Sequence, residues 1–165
     1  MINVKVWENN ILNKNNQVVK LLKNSFKINN VYELNLVKNK TYMISIIVNN
    51  NLIGSISLIS NDDLINYLKT KTSNIESVIA NYSIKATTGI YIYNLAVNEQ
   101  FRNQGIAQKL IDIAIYIAKL KKFNYCHTHC ENEISQHMFK KRNFNVENVF
   151  LNDKKQTVKL MTSWL

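Results

Sequence analysis

Val97-Asn98-Glu99-Gln100-Phe101-Arg102-Asn103-Gln104-Gly105-Ile106-Ala107 is the stretch that decides how this chain is read. Before it, Gly89 to Val97 (Gly-Ile-Tyr-Ile-Tyr-Asn-Leu-Ala-Val) is rich in β-branched and aromatic residues and predicts a strand. After it, Ile106, Leu110, Ile113, Ala114 and Ile117 recur at helical spacing and predict a long helix to about Lys122. A polar turn therefore delivers a strand directly into a helix. The first N–H groups of a helix have no partners inside it, and the macrodipole is positive there, so such a junction accommodates a pyrophosphate. Gly105 and Ala107 keep side chains out of its way. Taken alone, Arg102-x-x-Gly105-x-Ala107 also fits an ordinary strand-to-helix crossover, because short glycine motifs are common.

Working outward, Ile2 to Trp7 alternates apolar and polar residues as a short strand does. Val18, Val19, Leu22 and Phe26 predict a helix over roughly Ile11 to Lys27, and residues 28–40 read as loop. Thr41 to Val48 and Leu52 to Ser60 are β-branched runs separated by Asn49, Asn50 and Asn51, residues that tolerate the positive φ of a tight turn, so they predict a β-hairpin. In residues 61–88, Leu64, Ile65 and Leu68, then Ile75, Val78, Ile79 and Tyr82, predict two short amphipathic helices, the second with capping-box spacing at Ser73 and Glu76. Tyr125 to Cys130 reads as a strand, and Asn132 caps a helix of about ten residues that ends near Asn143. Strands near Val146 to Leu151 and Thr157 to Trp164 close the chain.

The whole of 1–165 reads as one domain: the length suits a single core, and no repeat, linker or low-complexity tail interrupts it. Its 46% apolar content excludes intrinsic disorder, and three Gly with no Pro exclude collagen and proline-rich linkers. The excess of Asn (27), Ile (21) and Lys (19) reflects an AT-rich coding sequence rather than a function. No apolar run approaches the ~20 residues that span a bilayer, and no secretory leader is evident. The two cysteines, Cys126 and Cys130, are too close in sequence for a disulfide framework, so the expected setting is reducing and cytoplasmic. A net charge of +10 favours polyanionic partners, whether nucleic acid, an acidic membrane face or a phosphorylated cofactor.

Leu95-Ala96-Val97 followed by Arg102-x-x-Gly105-x-Ala107 resembles the acetyl-CoA signature of the GNAT superfamily of N-acetyltransferases. A second segment, Asn132-Glu133-Ile134-Ser135-Gln136-His137-Met138-Phe139-Lys140-Lys141-Arg142-Asn143-Phe144, resembles the family's later motif. The resemblance implies an α/β fold: a mixed, bent sheet of six or seven strands, about four helices, and here a helical insertion between the third and fourth strands. It implies transfer of an acetyl group from acetyl-CoA, the cosubstrate, to a primary amine by direct attack in a ternary complex. The acceptor is a protein N-terminus, a lysine or a small-molecule amine. Carried over residue by residue, cofactor contacts fall on Leu95, Ala96, Val97, Arg102, Asn103, Gln104, Gly105, Ile106 and Ala107, with Asn132 and Phe139 from the second motif.

Three residues depart from the family pattern. Glu99 stands where the turn often has Pro, Asn143 where the helix usually ends in Gly, and Phe139 where many members have Tyr. Asn143 can adopt the left-handed conformation that a helix end requires. Phe139 removes a phenol able to protonate the departing thiolate, which raises the alternative of a catalytically weak or inactive basic module that binds CoA. Nucleic-acid binding without acyl transfer is the less favoured third reading, as no Arg-rich tract or aromatic RNA-binding motif accompanies the charge.

Acyl transfer needs a neutral amine, so an ammonium of pKa about 8 or about 10.4 must first lose a proton. His127 and His129 share one face of their strand, and Cys126, Thr128 and Cys130 share the other. The resemblance to N-terminal amine acetyltransferases places Tyr91 and His127 around a proton-relaying water, with His129 as the next candidate; the bland alternative is a half-buried strand aromatic and a satisfied core histidine. Cys126-His127-Thr128-His129-Cys130 predicts no metal site, because the two cysteines of an extended strand lie about 13 Å apart. Lys119, Lys121 and Lys122, like Lys140, Lys141 and Arg142, suit helix C-termini. The 61–88 segment is expected either to cover sheet surface or to wall the amine site, with Asp62, Asp63 and Glu76 attracting a cation. No membrane partner is expected, and a homodimer is compatible with the chain.

Overall fold

The computed structural model describes residues 2–8, 16–26, 41–74, 76, 79, 88–152 and 154–165. Its strands are β1 (Ile2–Glu8), β2 (Thr41–Val48), β3 (Asn51–Ser60), β4 (Gly89–Val97), β5 (Tyr125–Cys130), β6 (Asn145–Leu151) and β7 (Thr157–Trp164). They form a seven-stranded sheet in the order β1-β2-β3-β4-β5-β7-β6. The sheet is mixed: β4 runs parallel to β5, while β1–β2, β2–β3, β5–β7 and β6–β7 are antiparallel. Four helices are described, α1 (Asn16–Phe26), α2 (Asn61–Lys69), α3 (Ile106–Leu120) and α4 (Glu133–Lys140). The expected second helix of the 61–88 segment falls mostly on residues outside those described, as do residues 11–15 and 27–40. No helix among the described residues is long and apolar enough to cross a membrane.

The chain divides into two compact units, with β4 and α3 each contributing to both. Residues 1–59 and 92–116 make the first. Its hairpin turns on Asn49 and Asn50 alone (φ 47° and 64°), and Asn51 joins β3, because a two-residue turn with both residues left-handed matches the twist of the flanking strands. β3 is buried on both faces along nearly its whole length, so that the small Ser55 and Ser57, which alternate with Ile56 and Leu58, are buried as well. In α1 the buried face is Val18, Leu21 and Leu22; Phe26, expected on that face, ends the helix 40% exposed. The Gln17 side chain ties α1 to the hairpin, accepting from the Leu52 N–H (2.9 Å) and donating to the Asn50 carbonyl (3.2 Å).

Gly54 sets how closely α3 lies on β3. A Cβ there would sit 3.0 Å from Leu110 Cδ1, 3.1 Å from Ile106 Cγ2 and 3.2 Å from the Ala96 carbonyl, so a side chain would push the start of α3 outward. The Asn98 N–H donates to the Ile53 carbonyl (2.8 Å) and fixes the end of β4 against the same strand.

Residues 60–91 and 117–165 make the second unit. Ser60 caps α2: its Oγ accepts from the Asp63 N–H (3.2 Å) and donates to the Asp63 carboxylate (2.7 Å), a reciprocal cap that the spacing Ser60-x-x-Asp63 encodes. Leu64 and Leu68 are its buried face. Asn132 caps α4 as the sequence predicts, accepting from the Ser135 N–H (2.8 Å). Asn143 takes φ 62° just past that helix, so the missing glycine is replaced by a residue that tolerates the conformation. Lys122, at φ 62°, ends α3 two residues earlier than expected.

Candidate functional site

In the first unit the junction between β4 and α3 is a strand, a single 3-10 turn and a helix. Asn98 caps the turn over Glu99–Phe101 through its side-chain oxygen, which accepts from the Gln100 N–H (3.3 Å). Arg102 folds back and donates from Nε to the Val97 carbonyl (3.3 Å). Asn103 (φ 62°) and Gly105 (φ 77°) are both left-handed, and this double reversal aims the chain into α3. The Lys109 N–H bonds the Gly105 carbonyl (3.0 Å), so the N–H groups of Ile106 and Ala107 lie ahead of it in the open first turn. Residues 102–105 are exposed, and a Cβ on Gly105 would meet nothing within 4 Å. That open, exposed turn suits a phosphate approaching the backbone.

Upstream, Asn94 is left-handed (φ 52°) inside β4. One such residue interrupts the alternation of the strand and re-aims the last three positions of β4. Of these, Leu95 and Val97 are half-buried and Ala96 is buried.

The second unit gathers the titratable rings. Tyr91 on β4 is in register with His127 on β5, and their rings lie 5.2 Å apart. The Tyr91 hydroxyl, however, reaches His129 Nδ1 at 3.3 Å, with the two rings edge-on at 5.4 Å. His129 is half-buried and packs edge-on against Phe150 (5.2 Å). His127 is 0% exposed. Loss of water pushes its pKa down to about 3, with the neighbouring His129 adding to the effect, so the ring is neutral at any physiological pH. Its Nε2 lies 2.6 Å from Asn61 Oδ1, and Asn61 Nδ2 donates to the Tyr125 hydroxyl (2.7 Å). Asn61, itself 0% exposed, is a site residue that sequence reasoning missed; a polar residue one position after a cap carries no signal that it will be buried. Gly89 makes room for this group: a Cβ there would overlap the Asn61 amide and lie 2.5 Å from Tyr125 Cζ.

The remaining expected residues also lie in the second unit. The Asn132 side chain is engaged in capping α4, and Phe139 is 3% exposed, packed edge-on against Phe144 (5.0 Å). Burial raises the thiols of Cys126 and Cys130 to about 12 and about 11; Lys119 opposes the shift at Cys126, and a Ser135 hydrogen bond and Lys159 oppose it at Cys130. Neither sulfur is an available nucleophile at neutral pH.

Known proteins share this outline. The family model described as Acetyltransferase (GNAT) family matches residues 13–144. No curated protein matches the chain. Among solved structures, a GNAT family acetyltransferase from Elizabethkingia anophelis with acetyl-CoA bound is 20% identical, with a TM-score of 0.66 over 99% of each chain. A Bacillus subtilis acetyltransferase in complex with CoA is 14% identical, with a TM-score of 0.65 over 100% of this chain and 99% of that one. A mutant agmatine N-acetyltransferase in its apo form is 9% identical, with a TM-score of 0.71 over 99% of this chain and all of that one.

Proposed function

Because the chain belongs to the acetyltransferase (GNAT) family, we propose that it transfers the acetyl group of acetyl-CoA to a primary amine, with Tyr91 and His129 conducting the amine's proton away. The observation that carries the reading is the open first turn of α3, entered through left-handed Asn103 and Gly105. The pyrophosphate of acetyl-CoA lies on the backbone N–H groups from Arg102 to Ala107, and the main chain at Leu95 and Val97 meets the pantetheine arm. The structures of an acetyl-CoA-bound and a CoA-bound acetyltransferase with this fold support the choice of cosubstrate.

The neutral amine attacks the thioester carbonyl, forming the C–N bond as the C–S bond breaks, and CoA departs as the thiolate, which takes up the proton that the acylated nitrogen sheds. The proton that the ammonium gives up passes to the Tyr91 hydroxyl and on to His129, whose Nδ1 already meets that hydroxyl. His127, the partner of Tyr91 expected from the sequence, serves as a neutral, buried neighbour. Moving a proton from a lysine-like ammonium (pKa about 10.4) to a ring titrating at about 3 is uphill by about 10 kcal/mol, which argues against it as the resting base.

Mass spectrometry of a panel of protein N-termini, lysyl peptides, polyamines and small amines incubated with protein and acetyl-CoA tests the reading. An acetylated product is expected, with turnover falling ~10²- to 10⁴-fold in His129→Ala. No product from any amine, with acetyl-CoA still bound, would leave the second reading: a CoA-binding module without turnover. That reading is favoured by Phe139, which is packed on Phe144 and brings no phenol to the thiolate.

A further inference from the structure

We propose that Asn61, at the start of α2, is a positioning residue of the acceptor site: its amide fixes the ring of His127, and through the packed rings of His127 and Tyr91 it holds the hydroxyl that meets His129. The inference rests on the proton route above and adds to it an element, α2, that the motifs leave outside the chemistry.

The geometry runs in one direction. Asn61 Oδ1 accepts from His127 Nε2 at 2.6 Å, and Asn61 Nδ2 donates to the Tyr125 hydroxyl at 2.7 Å. With Nε2 carrying the proton, His127 Nδ1 is a bare acceptor, and it has no hydrogen-bond partner among the described residues. The opposite amide orientation would put the proton on Nδ1 and bury an unpaired N–H, which is the rarer and costlier defect. One tautomer is therefore selected. The ring it fixes is wedged between Tyr125 (5.7 Å) and Tyr91 (5.2 Å), so any rotation of His127 displaces Tyr91.

Tyr91 tolerates little displacement. Its hydroxyl lies 3.3 Å from His129 Nδ1, near the long end of a hydrogen bond, and a shift of a few tenths of an ångström breaks the contact. Two further features hold Asn61 itself: the Ser60–Asp63 cap fixes the first turn of α2, and Gly89, by lacking a side chain, lets the amide and the Tyr125 ring meet. The groups around His127 are Tyr91 from β4, Tyr125 and His129 from β5 and the Asn61 amide from α2, and of these His129 is the one whose charge acts on it.

The test uses the full chain with ring-labelled histidine and two variants, Asn61→Ala and Asn61→Asp. In the parent, nitrogen NMR is expected to show His127 as a single tautomer protonated on Nε2. Asn61→Ala should give a mixture of tautomers, and kcat for the best acceptor should fall at least about tenfold, a part of the ~10²- to 10⁴-fold general-base contribution, with KM for acetyl-CoA unchanged. Asn61→Asp keeps an acceptor for Nε2, restores the single tautomer, and raises the His127 titration from about 3 into view. A single Nε2 tautomer in Asn61→Ala, or turnover within twofold of the parent, overturns the proposal. If Asn61→Ala does not fold, an Asn61→Asp protein whose His127 titration stays put overturns it as well. The NMR arm needs no substrate, so failure of the tautomer lock is distinguishable from failure of the acetyltransferase reading.

Discussion

Lowering the pH from 7 to 5 should weaken this fold mainly through one ring, His127. In the folded chain the imidazole titrates at about 3; once unfolded it returns to about 6.5. Between those values the unfolded chain binds a proton that the native chain refuses. Stability is thus fully present above about 6.5 and is lost as the pH falls toward 3. The interval of about 3.5 pH units, at about 1.4 kcal/mol each, caps the loss near about 5 kcal/mol. At pH 5 about 1.5 of those units have been crossed, which amounts to about 2 kcal/mol. With a urea dependence of about 2 kcal/mol per molar for a domain of this size, the unfolding midpoint should drop by about 1 M. The assay is equilibrium urea unfolding at pH 7 and pH 5 for the parent, His127→Gln and His129→Gln. Glutamine at 127 keeps a polar group for Asn61 but does not titrate, so the pH-dependent loss should shrink by about 2 kcal/mol in that variant alone. Equal losses in the parent and His127→Gln would refute the burial argument and, with it, the proposed choice of His129 over His127 as the base.

Gly105→Glu should abolish acetyl-CoA binding measured by calorimetry while the chain stays folded: the site is sterically open, the left-handed backbone costs about 1–2 kcal/mol with a side chain, and the carboxylate repels the pyrophosphate. Gly89→Ala should lower stability in thermal unfolding by about 1–3 kcal/mol, because its Cβ would fall 2.5 Å from Tyr125 Cζ and collide with the Asn61 amide. Cys126 and Cys130, with thiols raised to about 12 and about 11, should resist a disulfide reagent at pH 8 until the chain unfolds. The same two groups make stability fall as the pH rises above about 9, where unfolded thiols ionise and native ones do not.

Local rules made the strands legible. Thr41–Val48 and Tyr125–Cys130 run as their β-branched and alternating residues indicate, and the hairpin turn falls on asparagines because few other residues accept two successive positive φ angles. Asn132 and Asn143 bound α4 for reasons equally visible in the chain. What stayed hidden depends on contacts distant in sequence. Asn94 is left-handed inside β4, yet in a chain with 27 asparagines one more carries no flag. Lys122 and Lys155 adopt positive φ although lysine has no preference for it. Gly54 did carry a signal, since a glycine within a strand marks a close backbone approach, but which helix approaches is set by α3, far along the chain. Asn61 meets His127 across 66 positions, a distance at which spacing says nothing.

The two histidines show most clearly where pattern ends and environment begins. Alternation puts His127 and His129 on one face of β5, and by residue type either is a base. Two positions along the strand, however, is also a step in depth: His127 lies under Tyr91, Tyr125 and Asn61, while His129 remains half-buried beside Phe150. A charge on both rings would be opposed by their mutual repulsion, and desolvation decides which ring stays neutral. The buried ring is held neutral, while the outer ring, joined to the Tyr91 hydroxyl, is the one on which the proposed proton route ends. Sequence periodicity can nominate such a pair, but only burial can divide the labour between them.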